Sequence, residues 1–130
     1  MSGRRVLIVD DNVANVALAA FVLNDAGFVV DSESDASTVS AKVASFRPDL
    51  VLMDIRLSGA DGLELARALR FDPATRHVVI VAFTAHAMKG DEARMLAAGC
   101  DAYIAKPIDV ATFAGLVGRA LAAGQRTGTP

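Results

Sequence analysis

Short apolar runs alternate along the whole chain with segments in which apolar residues recur at helical spacing, and no other feature of the sequence constrains the fold as strongly. Five runs of four or five residues read as buried strands, and a helical stripe follows each of them. Parallel pairing is expected, because a right-handed crossover helix carries the chain back across the sheet after each strand. The alternation therefore predicts an α/β fold with a doubly wound, five-stranded parallel sheet.

Turn residues and helix-stop residues set the boundaries of the predicted elements. The predicted strands cover residues 5–9, 28–32, 50–54, 78–82 and 102–105. The first predicted helix ends at Gly27, the second ends before Pro48, and the fourth spans residues 88–98. In the first helix the apolar stripe consists of Val13, Val16, Ala17, Ala20 and Leu23. We predict one domain over residues 1–123, followed by a flexible tail over residues 124–130.

Composition narrows the class of protein. The 130 residues are 53% hydrophobic with few aromatics, as expected when both faces of a sheet are covered. Lys and Arg total 13 against 15 Asp and Glu, so the chain lacks the basic surface that binds nucleic acid. No apolar run has the length of a membrane span, and a single cysteine cannot form an internal disulfide. We therefore expect a cytoplasmic protein with protein partners and no direct nucleic-acid or membrane binding.

Charged and polar residues stand at the carboxyl ends of four predicted strands. Asp10 and Asp11 follow the first strand, and Asp54 ends the third. Thr84 follows the fourth strand, and Lys106 follows the fifth. In an open parallel sheet these ends share one edge, where ligands bind near the switch in strand order. The five side chains are therefore expected to converge.

Three crowded carboxylates need a cation. At about 4 Å and an effective dielectric of about 20, each pair repels by about 4 kcal/mol. Hard oxygen ligands that leave room for water suit Mg²⁺, which bridges readily to phosphoryl oxygens. An aspartate can itself be the nucleophile of phosphoryl transfer, with Mg²⁺ and Lys106 stabilising the transferred group and Thr84 donating a hydrogen bond. The pattern predicts Asp54 as the reacting carboxylate.

Each of these residues also has a plainer interpretation. Asp11 could cap the first helix together with Asn12, and Asp54 could bind the amides of a turn. Thr84 could cap the next helix, and Lys106 could be a solvated surface charge. Only their shared position at one edge of the sheet favours a reactive site over these alternatives.

Four motifs carry the resemblance of this chain to a known family: VLIVDDN at 6–12, PDLVLMDIRL at 48–57, VVIVAFTA at 78–85 and GCDAYIAKPI at 99–108. With this combination, residues 4–122 resemble a response-regulator receiver domain of two-component signalling. Within the family the chain is most similar to DivK-type single-domain regulators, and a receiver module of a hybrid histidine kinase phosphorelay is the alternative. The resemblance implies a flavodoxin-like (CheY-like) fold with strand order 2-1-3-4-5 and five helices.

The resemblance also implies roles for the acidic residues. Asp54 becomes the phosphoacceptor. Asp10, Asp11, Asp54 and the backbone carbonyl of Arg56 become the Mg²⁺ ligands, with Asp11 the more direct ligand of the acidic pair. Ser58 stands where the family usually has a proline.

Further implied roles fall on the last two strands. Lys106 contacts the phosphoryl group, and the Lys106–Pro107 peptide is expected to be cis. Thr84 and Tyr103 form a switch pair, in which Thr84 moves toward the phosphoryl group and Tyr103 turns inward. Read from the residues alone, Tyr103 could be an ordinary edge-strand aromatic. His86 occupies a position at which the family varies.

The implied function is a signalling switch that catalyses only its own phosphorylation and dephosphorylation. It would accept phosphate from a histidine kinase or phosphotransfer protein and bind partners through the fourth helix, fifth strand and fifth helix. A dehalogenase-type aspartyl phosphatase would need an aspartate where Arg56 stands. A flavin module would need a hydroxyl-rich loop where Asp10 and Asp11 repel phosphate. A module that binds partners without phosphorylation is a fourth hypothesis.

Overall fold

A central parallel sheet organises the computed structural model, which describes residues 3–57, 60–85 and 89–128. Its strands are β1 (Arg5–Val9), β2 (Val29–Glu33), β3 (Leu50–Asp54), β4 (Val79–Thr84) and β5 (Ala102–Ala105). The α-helices are α1 (Val13–Asp25), α2 (Val39–Phe46), α3 (Gly62–Phe71), α4 (Lys89–Ala97) and α5 (Phe113–Gly128). A 3₁₀ turn at Ala36–Thr38 precedes α2, and a two-stranded ribbon of Arg56–Leu57 with Ala60–Asp61 leads into α3.

The order of the strands in the sheet is β2-β1-β3-β4-β5, with every neighbouring pair parallel. Side chains of α1 and α5 pack on one face of the sheet, and side chains of α2, α3 and α4 pack on the other. Every residue of β3 and β4 is buried, because these strands lie in the middle of the sheet with helices on both faces. The predicted doubly wound fold, its strand order and its five helices are confirmed. None of the described helices has the length and apolarity needed to cross a membrane.

The predicted boundaries of β1, β3 and β5 are confirmed, and the other elements differ by a few residues. β2 lies one residue later than predicted. β4 continues to Thr84, which pairs with Ala105, so Thr84 ends the strand instead of following it. α5 continues to Gly128, past the predicted domain boundary at residue 123. The flexibility of residues 124–130 stays a prediction.

The buried face of α1 matches the predicted one only in part. The helix buries Ala19, Val22 and Leu23, while Val13 is 82% exposed and Ala17 is exposed. Apolar residues surround this helix on every side, so their spacing could not identify which face meets the sheet. Of the predicted stripe, Val16, Ala20 and Leu23 pack toward the sheet, and the prediction is wrong at Val13 and Ala17.

Gly62, the first residue of α3, lies directly against the end of β3. Its N–H donates to the carbonyl of Ile55 at 2.8 Å, and the Asp61 side chain caps the helix by accepting from the N–H of Leu63 at 2.9 Å. A Cβ on Gly62 would lie 2.1 Å from the carbonyl oxygen of Asp54. Only glycine permits this close approach, which fixes the start of α3 behind the Asp54 backbone.

Substituting Gly62→Ala is expected to lower the free energy of unfolding by roughly 1–3 kcal/mol, because the added methyl group collides with backbone atoms that cannot move aside cheaply. Urea denaturation measures the change. Gly115→Ala on α5 is the matched control, since its Cβ would meet open space and alanine is the better helix former. Equal effects of the two substitutions would contradict the close-approach argument.

Candidate functional site

Three aspartates meet at the carboxyl edge of the sheet. β1 and β3 are neighbours, with Val9 opposite Met53, so Asp10 and Asp54 arrive at the edge side by side. Asp10 is 1% exposed and Asp54 is 6% exposed, while Asp11 is partly buried. One carboxylate oxygen from each of the three lies within 4.8 Å of the others. The convergence predicted for these three residues is confirmed.

Backbone N–H groups orient the two buried carboxylates. Asp10 Oδ1 accepts from the N–H of Asn12 at 2.9 Å, and Asp54 Oδ1 accepts from the N–H of Arg56 at 3.1 Å. These bonds hold one oxygen of each carboxylate. The side chain of Asn12 caps α1 by accepting from the N–H of Asn15, so the capping interpretation is confirmed for Asn12.

The Lys106 ammonium lies between the two buried carboxylates. Its Nζ is 3.0 Å from Asp10 Oδ2 and 3.5 Å from Asp54 Oδ2, and its side chain is 13% exposed. The interpretation of Lys106 as a solvated charge is therefore wrong. Nζ also lies 4.9 Å from the centroid of the Phe83 ring, a distance at which an aromatic face attracts a cation. We did not identify Phe83 from the sequence, where its only signal is an aromatic residue one position before Thr84.

The two buried carboxylates carry more charge than the ammonium between them. When Asp10 and Asp54 are both ionised, the Lys106 ammonium supplies one positive charge against their two negative charges. Burial raises the pKa of Asp54 above its ordinary value of 3.8, the Arg56 N–H and Lys106 oppose this rise, and the Asp10 charge adds to it. Asp10 Oδ2 is buried, and its partner among the described residues is the Lys106 ammonium at 3.0 Å. This set of hard oxygen donors fits a small divalent cation such as Mg²⁺.

Thr84 reaches the same edge, and Tyr103 does not. Thr84 ends β4 and is buried, and its carbonyl accepts from the N–H of Lys106 at 2.8 Å. Tyr103 lies opposite Ala82 in the sheet and is 39% exposed, away from the aspartates. The Lys106–Pro107 peptide is cis, as predicted. The switching roles of Thr84 and Tyr103 stay predictions.

Arg56 lies two residues after Asp54, and its side chain is exposed. Its N–H binds Asp54, and the role of its carbonyl as a metal ligand stays a prediction. Ser58 and His86, which mark the departures and variable positions noted in the sequence, lie outside the described residues.

Asp54→Asn is expected to stabilise the protein at pH 7 in the presence of a chelator. Because the pKa of Asp54 is raised in the folded state, the ionised carboxylate opposes folding. The increase in the free energy of unfolding that a neutral amide brings should therefore shrink as pH falls toward 3.8. Urea denaturation between pH 4 and pH 8 measures this dependence.

Asp35→Asn is the control, because it should change the free energy of unfolding in the opposite direction. Hydrogen bonds from the backbone and side chain of Ser37 lower the pKa of Asp35, so its substitution should destabilise at pH 7 and have a shrinking effect at low pH. If Asp54→Asn also destabilised at pH 7, the interpretation of the acidic edge as electrostatically unfavourable would be refuted.

Comparison with protein families matches residues 6–117 to the response regulator receiver domain. Among curated proteins, the polar-differentiation response regulator DivK of Brucella anthropi is 40% identical over 110 residues, which cover 85% of this chain and 89% of that protein. The DivK protein of Brucella ovis is 39% identical over the same shares of the two chains.

Two solved structures share both the fold and part of the sequence. A CheY-like response regulator receiver domain protein from Methanospirillum hungatei has a TM-score of 0.85 and 27% identity, covering 97% of this chain and 99% of that one. The second is the receiver domain of a sensor histidine kinase from Pseudomonas aeruginosa, solved with a magnesium ion coordinated in its active site cleft. It has a TM-score of 0.82 and 32% identity, and the match covers 93% of this chain and 99% of that one. The chain therefore belongs to the response regulator receiver domain family, and it is a two-component signalling receiver of the CheY and DivK type.

Proposed function

We propose that this receiver accepts a phosphoryl group on Asp54 from a histidine kinase or a histidine phosphotransfer protein and then signals by binding other proteins. The observation that carries the proposal is the position of the Asp54 carboxylate, which lies beside two further aspartates with the Lys106 ammonium at 3.5 Å. A nucleophile, a cation-binding group and a counter-charge thus occupy one edge of the sheet. The chain would catalyse only its own phosphorylation and dephosphorylation, in the cytoplasm where such donors act.

Mg²⁺ is the proposed cofactor. Asp10, Asp11 and Asp54 would hold it, with the backbone carbonyl of Arg56 as a further ligand. The three carboxylate oxygens within 4.8 Å of one another support this assignment, and so does the magnesium ion in the Pseudomonas aeruginosa relative. When bound, the ion neutralises charge on the oxygens of a transferring phosphoryl group.

Each residue of the site has a separate role in the transfer of the phosphoryl group. A carboxylate oxygen of Asp54 forms a bond to phosphorus, and the phosphorus–nitrogen bond of the donor histidine breaks with its electron pair leaving on the nitrogen. The Lys106 ammonium compensates the charge on one phosphoryl oxygen, and the Thr84 hydroxyl donates to another. The N–H of Arg56 keeps the Asp54 carboxylate oriented during attack.

Output would follow from a population shift of α4 and β5. Thr84 moves toward the phosphoryl group, and Tyr103 turns inward from its present exposed position. Leu96 on α4, Tyr103 on β5 and Leu116 on α5 are all exposed large apolar residues. A surface of this kind supports binding to another protein through α4, β5 and α5.

The phosphodonor is proposed to bind against α1. This helix begins two residues after Asp11, so its outer face adjoins the acidic edge. Val13 is 82% exposed, Phe21 is 70% exposed and Leu18 is also exposed. An apolar face beside a reactive carboxylate supports a protein donor over a small-molecule donor.

A receiver module of a hybrid histidine kinase phosphorelay is the second candidate. The Pseudomonas aeruginosa relative, which is 32% identical, is the receiver of a sensor histidine kinase and supports this alternative. Both candidates require phosphorylation of Asp54. The family match leaves the dehalogenase-type phosphatase and flavin hypotheses without support.

Phosphoramidate with Mg²⁺ is expected to add one phosphoryl group to the wild-type protein, and Asp54→Asn is expected to abolish the addition because the amide is not a competent nucleophile. Intact-mass spectrometry measures the labelling, and excess chelator should abolish it in the wild type. Asp25→Asn, which changes an exposed aspartate at the end of α1 away from the acidic edge, should be labelled normally. Unchanged labelling of the Asp54 variant would refute the acceptor assignment.

Phe21→Glu is expected to slow phosphotransfer from a phosphorylated histidine kinase by about tenfold or more, because it places a charge in an apolar docking face. Labelling by phosphoramidate should stay normal, since the small donor needs no docking. The kinase is first chosen by screening those of the same organism for transfer to the wild-type protein.

Phe71→Glu is the matched control for this experiment. Phe71 is 89% exposed on α3, which packs on the opposite face of the sheet from α1. Equal slowing by both variants would show that α1 is not the docking face.

A further inference from the structure

The guanidinium of Arg70, near the end of α3, binds the segments that lead into β4 and β5. Nε and Nη2 donate to the carbonyl of Gly99 at 3.1 and 2.8 Å, and Nη2 also donates to Asp101 Oδ2 at 2.7 Å. Nη1 donates to the carbonyl of Val78 at 3.0 Å and to that of Arg76. All five N–H donors of the guanidinium are therefore used.

Asp101 continues this network into the sheet. Its Oδ2 accepts from the N–H of Ile80 at 2.8 Å, and its own N–H donates to the carbonyl of Ile80 at 2.7 Å. Asp101 thus extends the pairing of β5 with β4 by one residue. We call Arg70, Gly99 and Asp101, with their contacts to Val78 and Ile80, the Arg70 clasp.

Gly99 makes the clasp possible. Its φ of +99° suits glycine, and a Cβ at this position would lie 3.1 Å from Cγ of Arg70. The aliphatic part of the Arg70 side chain therefore packs against the backbone of Gly99, in the space that a larger residue would fill. The turn follows α4 directly, so the clasp joins α3, the end of α4 and the starts of two strands.

β5 depends on its two ends for its position. It is an edge strand of four residues, paired only with β4, and Ile104 is its only buried residue. Apolar burial therefore does little to fix this strand. At its start the Arg70 clasp ties it to β4, and at its end the N–H of Lys106 donates to the carbonyl of Thr84.

We propose that Arg70 and Asp101 are positioning residues for Lys106: by fixing the start of β5 against β4 and α3, they determine where the Lys106 ammonium lies relative to Asp10 and Asp54. The inference rests on the proposed function, in which Lys106 contacts the phosphoryl group. The clasp and Lys106 lie at opposite ends of β5, in which each residue advances the chain by about 3.3 Å.

Loss of the Arg70 clasp should change Mg²⁺ affinity and the rate of phosphorylation in opposite directions, which general destabilisation would not do. Lys106 and Mg²⁺ attract the same carboxylates, so an ammonium that lies less firmly at the acidic edge competes less with the metal ion. The same loosening removes a stabilising charge from the transferring phosphoryl group. Loss of the clasp should therefore strengthen Mg²⁺ binding while it slows phosphorylation, whereas partial unfolding would weaken both.

The test compares Arg70→Gln and Asp101→Asn with the wild-type chain. We expect phosphorylation by phosphoramidate to slow by about tenfold in Arg70→Gln. Mg²⁺ affinity, measured by isothermal titration calorimetry, should rise by about threefold. Asp101→Asn keeps an acceptor for the Ile80 N–H and is the gentler variant, with smaller changes in the same two directions.

Arg67→Gln is the matched control. Arg67 lies almost one turn earlier on α3, and its guanidinium pairs with Glu64 at the surface. Both quantities should stay within about twofold of the wild type, as for an exposed ion pair on a helix. Hydrogen exchange of the β5 amides should quicken in Arg70→Gln and stay unchanged in Arg67→Gln, while the β3 amides keep their protection in both.

A double substitution separates positioning from a purely structural role. In a Lys106→Gln background, Arg70→Gln should change neither Mg²⁺ affinity nor phosphorylation further, because its effect passes through Lys106. Additive effects, or a joint loss of Mg²⁺ affinity and phosphorylation, would overturn the proposal. If the wild-type chain were not labelled at all, the proposed function would fail, and the Mg²⁺ affinities of the five variants would still decide whether the clasp positions Lys106.

Discussion

Repulsion among three aspartates at one edge of the sheet is the constraint to which the rest of the site responds. Asp10 and Asp54 are buried side by side, and a single ammonium, that of Lys106, lies between them. The N–H groups of Asn12 and Arg56 each orient one carboxylate, but neither adds a full positive charge. The folded chain is thus prepared for a divalent cation and for a group that brings its own oxygens to the ammonium.

The same constraint explains why distant parts of the fold matter to this edge. Lys106 directly follows β5, an edge strand with one buried residue, so its position depends on contacts at both ends of that strand. The Arg70 clasp supplies those contacts at the start of β5, and Gly62 lets α3 approach the backbone of Asp54. α3 therefore contacts the backbone of Asp54 at its start and the residues that lead into β5 at its end.

Elements with a local signal were predictable, and elements whose limits depend on neighbours were not. β3 matched its prediction because an unbroken apolar run ends at Asp54. β4 runs on to Thr84 because pairing with β5 extends it, which the residues of β4 alone do not reveal. The buried face of α1 was predicted only in part because apolar residues surround the helix, so only its contacts with the sheet select a face.

The sequence by itself determined the parallel sheet and the convergence of Asp10, Asp11, Asp54, Thr84 and Lys106, since the periodicity and the strand ends are local properties of the chain. Only the tertiary structure decided which carboxylate oxygens face the ammonium, that Phe83 lies beside it and that Tyr103 stays at the surface. It also decided that Arg70 binds Gly99 and Asp101, residues 29 and 31 positions away. Side-chain directions and contacts across such separations depend on packing, and no short stretch of sequence encodes them.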